Sequence, residues 1–261
     1  MTKFPKKPTI GIISLTCCEG CQFAILDLGK RLLEIFEHYD LGEFGLVEDQ
    51  RERDYYDIAI VEGSPITGDN IKRLKEMRKK SKFLIALGTC AHIGCVQGIK
   101  NYVSKDQKIK YVYPNIKKID NPKIVPISHY VKVDFIIPGC PINNEEFAEI
   151  LLDIKDNKLL PIPDRPVCYE CPLAQAGCLL QKNIICLGPV TRAGCSAICT
   201  RQGQQCLGCR GPIDEPNLDS LREVVLRFAS EKKFNHAMQV FGIQEMLEAQ
   251  AKKASQKKFK K

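Results

Sequence analysis

Residues 15–22 read LTCCEGCQ, and this stretch decides how the rest of the chain is interpreted. An apolar run precedes it and a helical pattern follows it, so Cys18 and Cys21 fall in the turn between a predicted strand and a predicted helix. Two thiolates at this spacing can bind one metal centre. The start of a helix favours the thiolate form, because backbone N–H groups and the helix dipole face it. The stretch therefore predicts half of a four-cysteine metal site.

Short apolar runs alternate with helical patterns on both sides of this stretch. The predicted strands are 9–15, 44–48, 58–61, 83–87 and 135–137, and the predicted helices are 22–36, 69–80 and 143–155, the last capped by Asn143 or Asn144. Such alternation predicts a parallel sheet with helices on both faces, because parallel strands need crossover connections. In this architecture ligands bind beyond the carboxyl ends of the strands.

Two more cysteines follow later strands of the predicted sheet. Cys90 follows the fourth strand in LGTCAHIGC, and Cys140 follows the fifth in PGCPI. Because the carboxyl ends of parallel strands meet at one edge, we expect Cys18, Cys21, Cys90 and Cys140 to converge. Four thiolates suit a [4Fe–4S] cluster or zinc, and the alternative is four buried cysteines acting as small apolar residues. Neither a dinucleotide fingerprint after the first strand nor a P-loop motif is present.

Eight further cysteines lie beyond the Pro-rich segment at residues 160–163. Their spacing is Cys168-x2-Cys171-x6-Cys178-x7-Cys186, followed by Cys195-x3-Cys199-x6-Cys206-x2-Cys209. Gly, Pro, Gln and Arg are frequent between them, so we expect metal sites rather than an apolar core to organise this segment. Eight ligands suit two more four-cysteine sites. The spacing leaves open whether the metal is zinc or iron, and whether ligands cross between the sites.

Composition restricts where the chain works. It has 261 residues with 44% hydrophobic residues, no apolar run of the roughly 20 residues that span a membrane, and no signal-peptide pattern, so we expect a cytoplasmic protein. A reducing cytoplasm disfavours disulfides, and metal ligation best explains the 14 cysteines.

After the last cysteine, the sequence predicts two helices and a charged tail. The predicted helices are residues 219–229 and 234–254. The net charge of +8 is concentrated in the Lys-rich tail 252–261, which we interpret as a solvated helix end; contact with nucleic acid or an anionic membrane is the alternative.

Together these motifs resemble the small subunit of nickel–iron hydrogenases. The C-x2-C pair, the GTCA turn and the GCP turn are similar in that family and in the related 20-kilodalton subunit of complex I. The segments CLGPVTRAGC and CLGCRGP resemble only the hydrogenase small subunit. The resemblance covers residues 10–212.

The resemblance implies three [4Fe–4S] clusters arranged in a row. The proximal ligands, nearest the nickel–iron centre of the large subunit, would be Cys18, Cys21, Cys90 and Cys140. The distal ligands would be Cys168, Cys171, Cys178 and Cys186. The medial ligands would be Cys195, Cys206 and Cys209, with Cys199 as the fourth.

Departures from the family pattern indicate a subgroup. Membrane-bound and periplasmic relatives have a histidine in place of Cys168 and only three medial cysteines, whereas this chain resembles the soluble sulfhydrogenase delta and methanogen subunits. Many relatives carry a glutamate just before the first ligand, where this chain has Cys17. Cys17 and Cys95 remain without a ligand role, and we expect them to lie near the proximal site, with replacement of a named ligand as the alternative.

The resemblance and the residue patterns predict one architecture and one function. We expect a flavodoxin-like wound parallel sheet in residues 1–159 and a loop-rich iron–sulfur segment with short helices and a basic tail in residues 160–261. The function expected is an oxidoreductase, the electron-transfer subunit of a cytoplasmic nickel–iron hydrogenase. Its partners would be the large subunit and a flavin- or iron–sulfur-containing subunit, with no nucleic acid and no membrane span. Alternatives are a zinc-stabilised protein that binds nucleic acid and a complex I-like electron module.

Overall fold

Five parallel strands form the centre of the molecule. The computed structural model describes residues 4–5, 7–47, 52–102, 123–173 and 177–258, with side chains described up to residue 250. The strands are β1 (Thr9–Ser14), β2 (Asp40–Phe44), β3 (Tyr56–Glu62), β4 (Ser81–Leu87) and β5 (Phe135–Ile137). They pair in the order β2-β1-β3-β4-β5, and every pairing is parallel. This is the flavodoxin-like order of a doubly wound sheet, so the predicted fold class is confirmed.

The sheet is buried on both faces, as its continuous apolar strands require. Along β3, Ile58 and Ile60 face one core cluster while Ala59 and Val61 face the other, and all four side chains are inaccessible to solvent. One of the predicted strand positions needs correction. The second strand is Asp40–Phe44 rather than 44–48, whose last residue lies outside the described residues.

Helices cover the two faces of the sheet. They are α1 (Gly20–Leu26), α2 (Lys30–Phe36), α3 (Gly68–Lys80), α4 (Gly88–Ile93) and α5 (Asn144–Lys155). The single helix predicted over 22–36 is wrong, because the chain breaks at Gly29, whose φ of 55° lies in the left-handed region that glycine accepts. The predicted cap of α5 is confirmed at Asn143, whose side chain accepts a hydrogen bond from the Glu146 N–H at 3.1 Å.

The second half of the chain is loop-rich up to a small helical layer. Its helices are α6 (Ile198–Arg201), α7 (Leu218–Leu226), α8 (Glu231–Gln239) and α9 (Ile243–Lys258). The helix predicted over 234–254 is instead α8 and α9, which separate at Gly242 with a φ of 80°. Val225, Phe234 and Ile243 pack with Leu187 in a core of their own. Among the described helices, none is both long enough and apolar enough to cross a bilayer.

Candidate metal centres

The turns after β1, β4 and β5 meet at the carboxyl edge of the sheet. The Thr89 N–H, in the first turn of α4, donates to the Gly139 carbonyl at 2.9 Å and joins the turn after β4 to the turn after β5. Gly88 has a φ of 75°, and a side chain there would collide with the Cys21 sulfur. The segments that carry Cys21, Cys90 and Cys140 are therefore in contact, as the strand order requires.

The proximal cysteines differ in their exposure. Cys18 and Cys140 are exposed, Cys21 is buried and Cys90 is half-buried. Burial raises the pKa of the Cys21 thiol, and the Glu62 carboxylate and the Cys140 thiol raise it further. The Cys21 sulfur and the Gly139 carbonyl, next to Cys140, both lie against Gly88, whereas Cys18 is exposed with its sulfur beside Gly20.

Cys95 lies inside the proximal group. Its sulfur is 3.8 Å from the Cys140 sulfur. Contact with Cys140 lowers the pKa of Cys95, but contact with Cys90 and burial raise it, and the result is about 12. The sequence placed Cys95 near this site without a partner, and the structure shows that the partner is Cys140.

A buried carboxylate that the sequence did not single out lies beside this group. Glu62, at the end of β3, is 1% exposed. Its oxygens accept the Cys21 N–H at 3.1 Å and the Gln22 side-chain N–H at 3.0 Å. Burial raises the pKa of the Cys17 thiol to about 12, and Glu62 adds to that rise. Glu62 thus fixes the start of α1 and places negative charge next to the thiols.

The four expected medial cysteines surround one space. They line a cavity of about 430 Å³, together with Cys140. The four are Cys195, Cys199, Cys206 and Cys209. Burial raises the pKa of the Cys206 thiol, and the nearby Thr191 hydroxyl and Gly208 N–H oppose that rise. Polar groups thus lie close to a sulfur of this site.

The distal cysteines form a third group. Burial raises the pKa of Cys168 to about 11, and the Cys186, Cys178 and Cys171 thiols add to it in that order. A side chain at Gly188 would come within 3.4 Å of the Cys168 sulfur and 3.5 Å of the Cys186 sulfur. This glycine therefore keeps space open next to two distal cysteines.

The donor sets fit iron–sulfur clusters better than single ions. Across the described ranges, no three His, Cys, Asp or Glu side chains are arranged so that they could hold one metal ion. The medial cysteines instead line a cavity of about 430 Å³. A [4Fe–4S] cluster places iron and sulfide between its four thiolates, so its ligands stand farther apart than those of one ion.

The three groups are joined in a row by backbone contacts. The Cys206 N–H donates to the Cys186 sulfur at 3.4 Å, which joins the medial and distal groups. The Thr89 hydroxyl donates to the Cys209 carbonyl at 2.6 Å, and Cys140 and Cys209 line one cavity, which joins the proximal and medial groups. Redox-active clusters, if bound by adjacent cysteine groups of this kind, could pass electrons from one group to the next.

A buried ion pair holds this row against the sheet. Arg210, 1% exposed, donates from both terminal nitrogens to the Glu146 carboxylate at 2.7 Å each. Arg210 directly follows Cys209 in the sequence, but nothing local shows that its partner lies on α5. The contact is therefore a finding of the tertiary structure.

Comparison with known proteins identifies relatives along nearly the whole chain. Residues 18–154 match the family described as NADH ubiquinone oxidoreductase, 20 Kd subunit. The sulfhydrogenase 2 subunit delta of Pyrococcus furiosus is 39% identical over 236 residues, which cover 89% of this chain and 98% of the relative. A subunit of the F420-non-reducing hydrogenase of Methanocaldococcus jannaschii is 32% identical, over 79% of this chain and 82% of the relative.

Solved structures give the same picture. A chain of an NAD+-reducing [NiFe]-hydrogenase in the H2-reduced state is similar with a TM-score of 0.52 and 25% identity, covering 58% of this chain and 93% of that chain. The actinobacterial-type NiFe-hydrogenase from Ralstonia eutropha H16 has a TM-score of 0.61 over 100% of this chain and 93% of that chain, and its 15% identity supports the fold alone. The chain therefore belongs to the family of the NADH ubiquinone oxidoreductase 20 kDa subunit and, within it, to the hydrogenase small subunits of the sulfhydrogenase delta type, so it is a subunit of an oxidoreductase.

Proposed function

We propose that this chain is the electron-transfer small subunit of a cytoplasmic nickel–iron hydrogenase. It relays electrons through three [4Fe–4S] clusters between the H2 site of the large subunit and a redox partner subunit. The observation that carries the proposal is the row of three cysteine groups, joined by the cavity that Cys140 and Cys209 share and by the hydrogen bond from Cys206 to Cys186. We also propose that the chain divides near residues 159 and 160 into a sheet domain and an iron–sulfur domain.

Each group of cysteines would hold one cluster. The ligands proposed are Cys18, Cys21, Cys90 and Cys140 at the proximal site, Cys195, Cys199, Cys206 and Cys209 at the medial site, and Cys168, Cys171, Cys178 and Cys186 at the distal site. The bound clusters would supply one-electron chemistry. The protein sets how readily each site accepts an electron, through burial and through N–H groups directed at sulfur, such as the Cys206 N–H on Cys186.

The two ends of the row offer different surfaces to partners. Near the proximal group, Phe23 is 56% exposed and Val96 is 53% exposed, beside the exposed Cys18 and Cys140. Large exposed apolar side chains at one site are typical of protein interfaces, so this end is proposed to bind the large subunit. At the distal end, Tyr169 is 77% exposed next to Cys168, and this end is proposed to bind the flavin- or iron–sulfur-containing subunit.

Metal analysis of the purified complex tests the proposal. Three cubane clusters require about twelve iron atoms in this chain, in addition to the iron of its partners. Electron paramagnetic resonance of the reduced complex should resolve three interacting centres. Cys178→Ser should remove the distal signal, whereas Cys17→Ser should retain all three, which makes the second variant the matched control. Stoichiometric zinc, or fewer than about eight iron atoms in this chain, would contradict the proposal.

A further inference from the structure

One buried threonine connects the proximal turns to the medial group. Thr89, between Gly88 and Cys90, is 1% exposed. Its hydroxyl donates to the Cys209 carbonyl at 2.6 Å, across 120 residues of sequence, and its N–H donates to the Gly139 carbonyl. A single residue thus holds the turn after β4, the turn after β5 and the medial loop together.

Cys209 is also close to the turn after β5. Cys140 and Cys209 line the same cavity. The Cys209 carbonyl is therefore bonded to the turn after β4, and its side chain shares a cavity with the turn after β5.

The Thr89 hydroxyl holds the Cys209 backbone, and its proton offsets part of the negative potential that the Cys209 carbonyl places beside the medial site. A less negative surrounding favours the more negative, reduced form of a cluster, so this bond raises the reduction potential. If the hydroxyl is removed, the buried Cys209 carbonyl loses its partner, and the medial loop gains freedom to move away from Cys140.

We propose that Thr89 is a positioning residue for electron transfer, which holds Cys209 against the turn of Cys140 and thereby sets the reduction potential of the medial site. The proposal rests on the proposed function, because it needs clusters at both sites. In addition, Thr89 would link the reduction potential of the medial site to the conformation of the proximal turns.

Redox titration of the intact hydrogenase complex, followed by electron paramagnetic resonance, tests this role. Thr89→Val keeps the shape but removes the hydroxyl, and the medial midpoint should shift to lower potential while the distal midpoint stays unchanged. Thr89→Ser keeps the hydroxyl and should restore most of the wild-type medial value. Ser81→Ala is the control: Ser81 is 7% exposed and its hydroxyl also donates to a backbone carbonyl, that of Arg78 at 3.4 Å, but it lies at the start of β4, at the edge of the sheet opposite the cysteines. Its medial midpoint should stay unchanged.

The outcomes separate this proposal from the proposed function. An unchanged medial midpoint in Thr89→Val, or an equal shift in Thr89→Ser, would overturn the role of Thr89. If the valine variant does not assemble, Thr89→Ala removes the same hydroxyl without adding a branched methyl, and the same shift is expected. Fewer than three centres in the wild-type complex would overturn the proposed function instead.

Discussion

Replacing Arg210 by methionine is expected to destabilise the protein severely. Besides the two bonds to Glu146, the Arg210 Nε donates to the Ala193 carbonyl at 2.8 Å and one terminal nitrogen donates to the Pro138 carbonyl at 2.8 Å. These bonds connect the end of β5, helix α5 and the loop before Cys195. Methionine fills much of the same volume but donates no hydrogen bond.

The magnitude follows from the burial of the pair. The side chains of Arg210 and Glu146 are 1% and 14% exposed, so the variant leaves a buried carboxylate without its cation. Removing one partner of a buried ion pair costs about 3–5 kcal/mol. Since about 1 kcal/mol corresponds to roughly 2–4 °C for a protein near this size, the unfolding temperature should fall by about 6–20 °C.

Thermal unfolding of the purified complex at one fixed scan rate, followed by loss of the visible iron–sulfur absorbance, measures this effect. The matched control is Arg222→Met. Arg222 also donates to both oxygens of one carboxylate, at 3.0 and 2.7 Å from Glu231, but water screens this half-exposed pair. Its unfolding temperature should hardly change. Arg210→Met combined with Glu146→Leu should recover part of the loss, because no uncompensated charge remains.

The stability deficit of Arg210→Met, meaning its loss of unfolding temperature relative to the wild type, should also depend on pH. Burial raises the pKa of Glu146, and the Arg210 guanidinium opposes that rise. In Arg210→Met nothing from Arg210 opposes the effect of burial on the pKa of Glu146, so Glu146 binds its proton more tightly in the folded than in the unfolded protein. Such a group contributes stability below the unfolded pKa and loses it as the pH rises through the folded pKa. The deficit should therefore shrink as the pH falls towards about 4. A deficit equal to that of Arg222→Met, or one independent of pH, would refute the reasoning.

Three further predictions concern the cysteine groups. Gly88→Ala should lose the proximal signal in electron paramagnetic resonance, because the new methyl group collides with the Cys21 sulfur. Gly203→Ala has the same φ of 75° with open space around it, and it should keep that signal, which separates collision from backbone strain. Cys95→Ala should retain the full iron content, whereas Cys140→Ala should lose the iron of one cluster; equal iron loss in both would make Cys95 a ligand. Because protons compete with iron for buried thiolates, an iron chelator should bleach the complex faster as the pH falls, and a rate that rises with pH would contradict this.

Much of the sheet could be predicted because its signals are local. The strand Phe135–Ile137 agrees with its predicted bounds, and helix α3 begins one residue before its predicted start. The helices divided at Gly29 and Gly242 were missed, since a glycine in a helical pattern does not show whether its φ is positive. The ligand assignment remains a prediction, although the medial cysteines line one cavity and the turns that carry Cys21, Cys90 and Cys140 are in contact.

By itself, the sequence determined the wound parallel sheet, the edge at which the strand-end cysteines lie and the spacing of the cysteines, because apolar runs and cysteine spacings are short-range patterns. Only the tertiary structure decided which buried polar groups meet. Cys95 contacts Cys140 across 45 residues, Arg210 contacts Glu146 across 64, and Thr89 contacts Cys209 across 120. Each of these polar groups needs a partner when folding removes it from water. Which partner it finds depends on how distant turns pack, so no local sequence pattern predicts it.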